Sequence, residues 1–240
     1  MEYKISWTVR TGRQHQARNL PGQDRVQVYR EGDRVCVALA DGAGSRENSH
    51  LGAECVTRTV SQLLGRDFDR LWDMDQDQRG RAVLARCLEE LEQLTPPIYE
   101  LASTLLFFAA DGEGRYLSGH LGDGVQILVE EGTSRVFSPP ENGAYQNETY
   151  FLTGADAAEH FRLRQGQLEG PGVLLMMSDG VAESLYQYQS RQPAPACATI
   201  ARWIAEGEED VITQALEQNM ERTFAARSAD DLSLAVIAWE

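Results

Sequence analysis

The sequence predicts an α+β fold: two antiparallel β-sheets packed as a sandwich, flanked by pairs of helices. Three observations point there. Strand-like segments come in groups joined by hairpin turns, and helix-like segments come in pairs. Several strands are apolar on both faces, as strands covered from both sides must be. The 240 residues, 42% hydrophobic and 25% charged, suit one globular domain over residues 1–240. A chain of this length buries roughly 70–75% of the surface its unfolded form exposes and needs no disulfide staples.

Taken in order, Arg25–Arg30 and Arg34–Ala40 read as a hairpin turned at Glu31-Gly32-Asp33. Residues 52–64 read as a helix with Ala53, Val56, Val60 and Leu63 on one face. A charged connector at 66–78 leads to a second helix over about 79–94, which carries Leu84, Leu88 and Leu91 and stops at Pro96-Pro97. Residues 103–110 form a strand apolar on both faces. Asp111-Gly112 turns it into strand 115–121, and Val125–Glu130 makes another. The region 138–172 is rich in Gly, Pro, Asn and acids, with short strand-like pieces at Tyr150–Leu152 and Phe161–Arg164; it reads as a functional flap. Residues 173–178 are a further apolar strand. Two helices follow at about 196–206 and 209–225, the second repeating Ile212, Leu216, Met220 and Phe224. The last strand is 232–239.

The net charge of −15 argues against a nucleic-acid or anionic-membrane partner. No stretch is apolar for long enough to cross a bilayer, and the N-terminal Met-Glu-Tyr-Lys-Ile-Ser-Trp lacks the basic-then-apolar order of a signal peptide. Cys36, Cys55, Cys87 and Cys197 are far apart and read as buried thiols. A cytoplasmic monomer is the expectation.

The chemistry lies in the placement of aspartates. Asp41 follows the apolar run 35–40, Asp123 closes 116–122, Asp179 follows 173–178, and Asp230 and Asp231 open 232–239. Asp-Gly recurs at 41–42, 111–112, 123–124 and 179–180. That dipeptide is first of all a hairpin signal. Asp111-Gly112, with strands on both sides, is read as a turn. Asp123-Gly124 alone leans the same way, and Asp230-Asp231 alone is a charged strand start. Asp41-Gly42 and Asp179-Gly180 precede helical or irregular segments, where a functional site is as good a reading as a turn. Jointly the picture changes. Converging carboxylates repel one another unless some stay protonated or cations join them. Two Mg²⁺ or Mn²⁺ ions balance four aspartates, and oxygen-only donors suit these hard ions rather than zinc or copper. A glycine after the aspartate lets a backbone carbonyl approach an ion.

One ordered set of segments carries a resemblance: Gln23-Asp24, Ala40-Asp41-Gly42-Ala43-Gly44, Ala102-Ser103-Thr104-Leu105, Gly122-Asp123-Gly124, Ser178-Asp179-Gly180-Val181 with Glu183, and Asp230-Asp231-Leu232-Ser233-Leu234. The chain resembles the metal-dependent 2C-type (PPM family) serine/threonine protein phosphatases in a compact bacterial form. Gly12-x-x-His15 and Asn147-Glu148-Thr149 resemble features of a bacterial branch. The resemblance implies the same sandwich. It implies that Asp41 bridges two Mn²⁺ or Mg²⁺ ions, with the Gly42 carbonyl on one, while Asp179 and Asp230 hold the other. Asp123, with Asp179, is implied as a third, weaker site. Asp24 and Asp231 would orient metal-bound waters. The candidate catalytic residues are thus Asp41, Asp179, Asp24 and Asp231. The implied reaction is hydrolysis of phosphoserine and phosphothreonine on proteins, by in-line attack of a water shared between two ions about 3.5–4 Å apart. A phosphorylated protein substrate and a cognate Ser/Thr kinase are the implied partners, with the 138–172 flap as the source of substrate choice.

Three positions depart from the family pattern. Gln23 stands where many members have a glutamate ligand. Asn19 falls where a phosphate-gripping arginine is expected, which leaves Arg13, Arg18 and Arg46 as substitutes. Ala43 stands where some relatives carry a histidine general acid, which leaves His15, His50 or a metal-bound water. His120 and His160 are read as ordinary hydrogen-bonding residues. Gln23 and the missing arginine motivate a second hypothesis: a pseudophosphatase that binds phosphoproteins without turnover. The retained aspartates count against it. Hydrolysis of small phosphorylated molecules is a third reading.

Overall fold

The computed structural model describes residues 1–143 and 149–240. The strands of its first half are β1 (Tyr3–Arg10), β2 (Arg25–Glu31), β3 (Arg34–Ala40), β4 (Leu105–Ala110), β5 (Arg115–Leu121) and β6 (Val125–Glu130). Those of the second half are β7 (Thr133–Ser138), β8 (Arg162–Gln167), β9 (Gly172–Met177), β10 (Tyr186–Gln187), β11 (Gln192–Pro193) and β12 (Leu232–Trp239). The helices are α1 (Arg13–Ala17), α2 (Ser49–Arg66), α3 (Phe68–Trp72), α4 (Gln76–Leu91), α5 (Ala157–His160), α6 (Asp179–Leu185), α7 (Ala196–Glu206) and α8 (Glu209–Asn219).

Two five-stranded antiparallel sheets result, ordered β1-β12-β9-β6-β7 and β2-β3-β4-β5-β8, with β10–β11 as a separate hairpin. The period-2 alternation of the strands explains the layering. Val35, Val37 and Leu39 of β3 face Leu174, Met176, Ala235 and Ile237 of the other sheet. The alternate residues Cys36 and Ala38 face outward, against Val56, Val60, Leu84 and Cys87 of α2 and α4. On the far side Leu175, Met177, Leu234 and Val236 meet Ile200, Ile204 and Leu216 of α7 and α8. The sheets are therefore apolar on both faces, and the expected α+β sandwich with outer helices is what the chain forms. All four cysteines are buried and unpaired. Among the described residues, no helix is long and apolar enough to cross a membrane.

Several elements differ from the sequence reading, α1, α5 and the β10–β11 hairpin among them, and four more bear on the layering. β1 pairs over its full length with β12, although nothing local announces it. β7 is a polar edge strand beside β6. The charged connector 66–78 contains α3, whose Phe68 and Leu71 are fully buried. Arg79 braces that corner, donating to the carbonyls of Leu71, Trp72 and Met74. Within the predicted flap, β8 completes the second sheet beside β5, so among the described residues the part between β7 and β8 is 139–143 and 149–161, the latter holding α5. The predicted flap also includes 144–148, with Asn147 and Glu148 among them, which lie outside the described residues.

Candidate active site

Antiparallel register gathers the acids. Arg25 pairs with Ala40, Leu105 with Leu121, and Met177 with both Leu234 and Val125. The ends of β3 and β9, the β5–β6 turn and the starts of β2 and β12 therefore share one end of the sandwich. Asp41, Asp123, Asp179 and Asp230, together with Gly42, line a single cavity there of about 390 Å³. Asp111 sits in the β4–β5 turn at the opposite end, where its carboxylate accepts from the Glu113 and Arg115 backbone. It is a turn residue, as read.

Local bonding fixes each acid. The Asp41 N–H donates to Thr104 Oγ1 at 2.9 Å, and the Thr104 N–H donates back to the Asp41 carbonyl at 2.8 Å. Gly42 then bridges to Ser103. Asp123 is delivered by Gly122, whose φ of +111° and 2.5 Å clearance to Thr104 Cγ2 leave no room for a side chain. His120 supports that turn. Burial holds its pKa well below the usual value, so the ring is neutral. A carbonyl can only accept, so Nε2–H donates to the Gly122 oxygen at 3.0 Å and Nδ1 accepts from the Ser138 hydroxyl at 2.8 Å. Asp179 opens α6, and its Oδ1 accepts from the Gly180 N–H at 2.6 Å.

The electrostatics are those of crowded acids out of water. Asp41 is pushed well above the usual carboxyl range, by burial first and then by Asp24, Asp179, Asp123 and Asp230. Asp179 is pushed up to about 7 by burial, then by Asp123 and Asp230. Burial also raises Asp123, against the opposing hydrogen bond from Thr149. Asp24 rises to about 7, again chiefly through burial, although the Ser233 and Ser178 hydroxyls pull the other way. Neither oxygen of Asp24 makes a hydrogen bond of good geometry. A buried carboxylate without donors is costly unless a positive charge joins it. The donors around the cavity are all oxygens, which fits a hard divalent ion. Among the described residues, no three His, Cys, Asp or Glu side chains already stand as a closed ion cage. The carboxylates instead share the wall of one cavity.

Asp231 is bonded differently. Its Oδ1 accepts from the Gly12 N–H at 2.6 Å, its Oδ2 accepts from the Gln23 N–H, and His15 Nδ1 stands 3.1 Å away. It does not line the cavity. Neither His15 nor His50 lines it either, and the same holds for Arg13 and Arg18, which are exposed. Asn19 adopts a left-handed φ of +54° on the surface. His160 stacks on Tyr150 and pairs with Glu141.

Sequence reasoning missed several neighbours of the site. Phe151 and Ser45 line the cavity, and Thr149 hydrogen-bonds Asp123 at 2.6 Å. Tyr188, in the β10–β11 hairpin, has its pKa raised by partial burial and then by Asp179 and Asp123. Thr149 is marked only through the resemblance, in Asn147-Glu148-Thr149, and without a role; nothing local marks Tyr188.

Comparison with known proteins gives the family and the fold. The model of the protein phosphatase 2C family matches residues 11–222. No curated protein sequence matches the chain. Among solved structures, the serine/threonine phosphatase of S. agalactiae is 19% identical, with a TM-score of 0.68 over 100% of both chains. Stp1 from Staphylococcus aureus is 13% identical, with a TM-score of 0.68 over 100% of this chain and 96% of its own. RsbX, solved in complex with magnesium, is 12% identical, with a TM-score of 0.64 over 99% of this chain and 96% of its own. At these identities the structural likeness is one of fold, and the family match carries the assignment. A sandwich with an acid-lined cavity at one end, and a family match over most of its length, place this chain in the protein phosphatase 2C family.

Proposed function

We propose that this chain hydrolyses phosphoserine and phosphothreonine monoesters on protein substrates, opposing a Ser/Thr kinase, with Mn²⁺ or Mg²⁺ as cofactor. The observation that carries the reading is the convergence of Asp41, Asp123, Asp179 and Asp230 on one cavity, where burial and then crowding raise Asp41 and Asp179. Asp41, the Gly42 carbonyl, Asp179 and Asp230 would hold two ions, and Asp123 with Asp179 a third. When bound, the ions polarise water and phosphoryl oxygens and offset the phosphate charge.

The chain's own residues supply the rest. Asp24, behind Asp41 and Asp179 with both oxygens unpartnered, is the acceptor for a water proton. Asp231 grips the Gln23 N–H and so fixes the backbone next to Asp24. Thr104 holds the Asp41 backbone against the cavity wall. All four cysteines are buried with raised pKa values, and none lines the cavity, so the reading needs no thiol nucleophile.

The test is an assay on an aryl phosphate and a phosphopeptide with Mn²⁺. Asp41→Asn and Asp179→Asn should each lower kcat/KM by about 10²–10³-fold or more, as loss of a charge at the reacting centre does. Activity that survives chelation or both substitutions overturns the reading. Tight calorimetric Mn²⁺ binding without turnover of any phosphoester assigns the chain to the pseudophosphatase class instead.

A further inference from the structure

A second cavity, about 580 Å³, adjoins the acid-lined one and shares Ser45, Thr149 and Phe151 with it. It runs between the Ile98–Leu101 turn and the flap. Among the described residues lining the two cavities, Arg46 alone is basic, in a chain of net charge −15. Among the described residues its guanidinium is weakly neutralised: the nearest carboxylate oxygen, Glu100 Oε1, is 3.9 Å away, and Glu100 Oε2 accepts the Glu47 N–H at 3.2 Å. The side chain lies over the Tyr99 ring, 5.6 Å from its centroid, and remains 43% exposed. Its backbone is held firmly. The Arg46 carbonyl accepts from Gln23 Nε2 at 2.9 Å and from Ser49 Oγ at 3.1 Å, and its N–H donates to Ala43 at 2.9 Å. Gln23 is buried, and a glutamate in its place could not donate to that carbonyl when ionised.

We propose that this groove receives the substrate polypeptide beside the phosphorylated residue, and that Arg46, on a loop positioned by Gln23, selects an acidic side chain there. The proposal rests on the phosphatase reading of the adjoining cavity. A phosphoserine seated among the aspartates has its flanking residues in the neighbouring groove, because the two cavities are continuous at Ser45, Thr149 and Phe151. The exposed Tyr99 ring offers a surface for an extended backbone, and Arg46 offers a planar, two-pronged donor for a carboxylate. Asp156 lines the same groove and confines the acidic preference to the Arg46 side.

The experiment compares wild type, Arg46→Ala and Arg46→Glu on three substrates with Mn²⁺: an aryl phosphate, a phosphopeptide with a flanking glutamate, and the same peptide with lysine. Arg46→Ala should lower the Glu-over-Lys ratio of kcat/KM roughly tenfold, the size expected for one charge-assisted pair. Arg46→Glu should invert the preference. Gln23→Glu should lower the ratio by about threefold through the loosened loop, the scale of one ordinary hydrogen bond. Anisotropy of the labelled, unphosphorylated Glu peptide without metal should weaken in Arg46→Ala by the same factor. If wild type leaves the aryl phosphate intact, the phosphatase reading fails. If it turns it over while Arg46→Glu keeps the wild-type peptide preference, or loses activity equally on all three substrates, the groove proposal is overturned. A ratio unchanged in Gln23→Glu overturns the positioning role.

Discussion

Asp24 and Asp231 are equally buried, 1% and 2% exposed, at the same end of the same sandwich, and the chain treats them in opposite ways. Asp231 takes backbone N–H groups from Gly12 and Gln23 and faces His15. Asp24 has no well-formed hydrogen bond on either oxygen, and its pKa is pushed up to about 7. Burial is the same; the supply of donors differs. An acid given donors fastens three segments of chain together. An acid with only the poorly aligned Ser178 and Ser233 hydroxyls beside it is kept at a cost in stability, and that cost makes sense where a cation or a proton arrives from outside. Donor count therefore separates the two acids where burial does not.

The sharpest way to break this comparison is to remove the fastened acid. Asp231→Ala strands two buried backbone donors and leaves His15 without its neighbour. The expected loss is about 3–5 kcal/mol. For a chain of this length that is a fall in Tm of about 6–20 °C. Calorimetry of the metal-free protein checks it. A loss below about 1 kcal/mol would mean that the bonds to Gly12 and Gln23 contribute little, and the contrast with Asp24 would collapse.

The next effect lies on the unfastened side. Asp24 and Asp179 have folded pKa values of about 7 against 3.8 in the unfolded chain. Below pH 4 both states hold the proton and nothing is lost. As pH rises the unfolded chain ionises first, so the folded state is penalised progressively until pH passes about 7. For one group moved that far the penalty is on the order of 4 kcal/mol. Denaturant unfolding in chelator should show stability falling between pH 4 and pH 8. Asp24→Asn should flatten that slope and stabilise the metal-free protein at pH 8. Mn²⁺ should restore the wild type there, because it binds the deprotonated acids. An unaltered slope in Asp24→Asn would show that its burial is not the source of the penalty.

These contrasts also explain what the sequence could reveal. β3, β4, β9 and β12 are legible because both faces are buried and the apolar runs are unbroken. β1 is not, because its partner β12 lies at the other end of the chain and its exposed Trp7 blurs the alternation. β8 hides in a polar stretch because an edge strand needs only one apolar face. The acids at strand ends are legible for the same local reason as the strands. Which of them is fastened is not, since the donors to Asp231 come from 219 and 208 residues away. Arg13, Arg18 and Arg46 are likewise equivalent along the chain, and only Arg46 borders a cavity joined to the acids, beside the place of a flanking residue rather than among the acids themselves.

Asp123 falls between the two extremes and gives the smallest and most discriminating test. Among the described residues it has one side-chain donor, Thr149 Oγ1 at 2.6 Å, and that bond lowers a pKa which burial raises. Thr149→Val keeps the shape and deletes the donor; Thr149→Ser keeps the donor and trims a methyl. The stability difference between the two variants should be about 0.5–1.5 kcal/mol when Asp123 is ionised. A hydroxyl that donates to a carboxylate favours the charged form, so its contribution is lost as pH falls through the folded pKa. The difference should therefore shrink from pH 8 to pH 4 in denaturant unfolding of the metal-free protein. A difference that stays constant would mean that Thr149 acts through packing alone, and Asp123 would then belong with Asp24 as an acid left without donors.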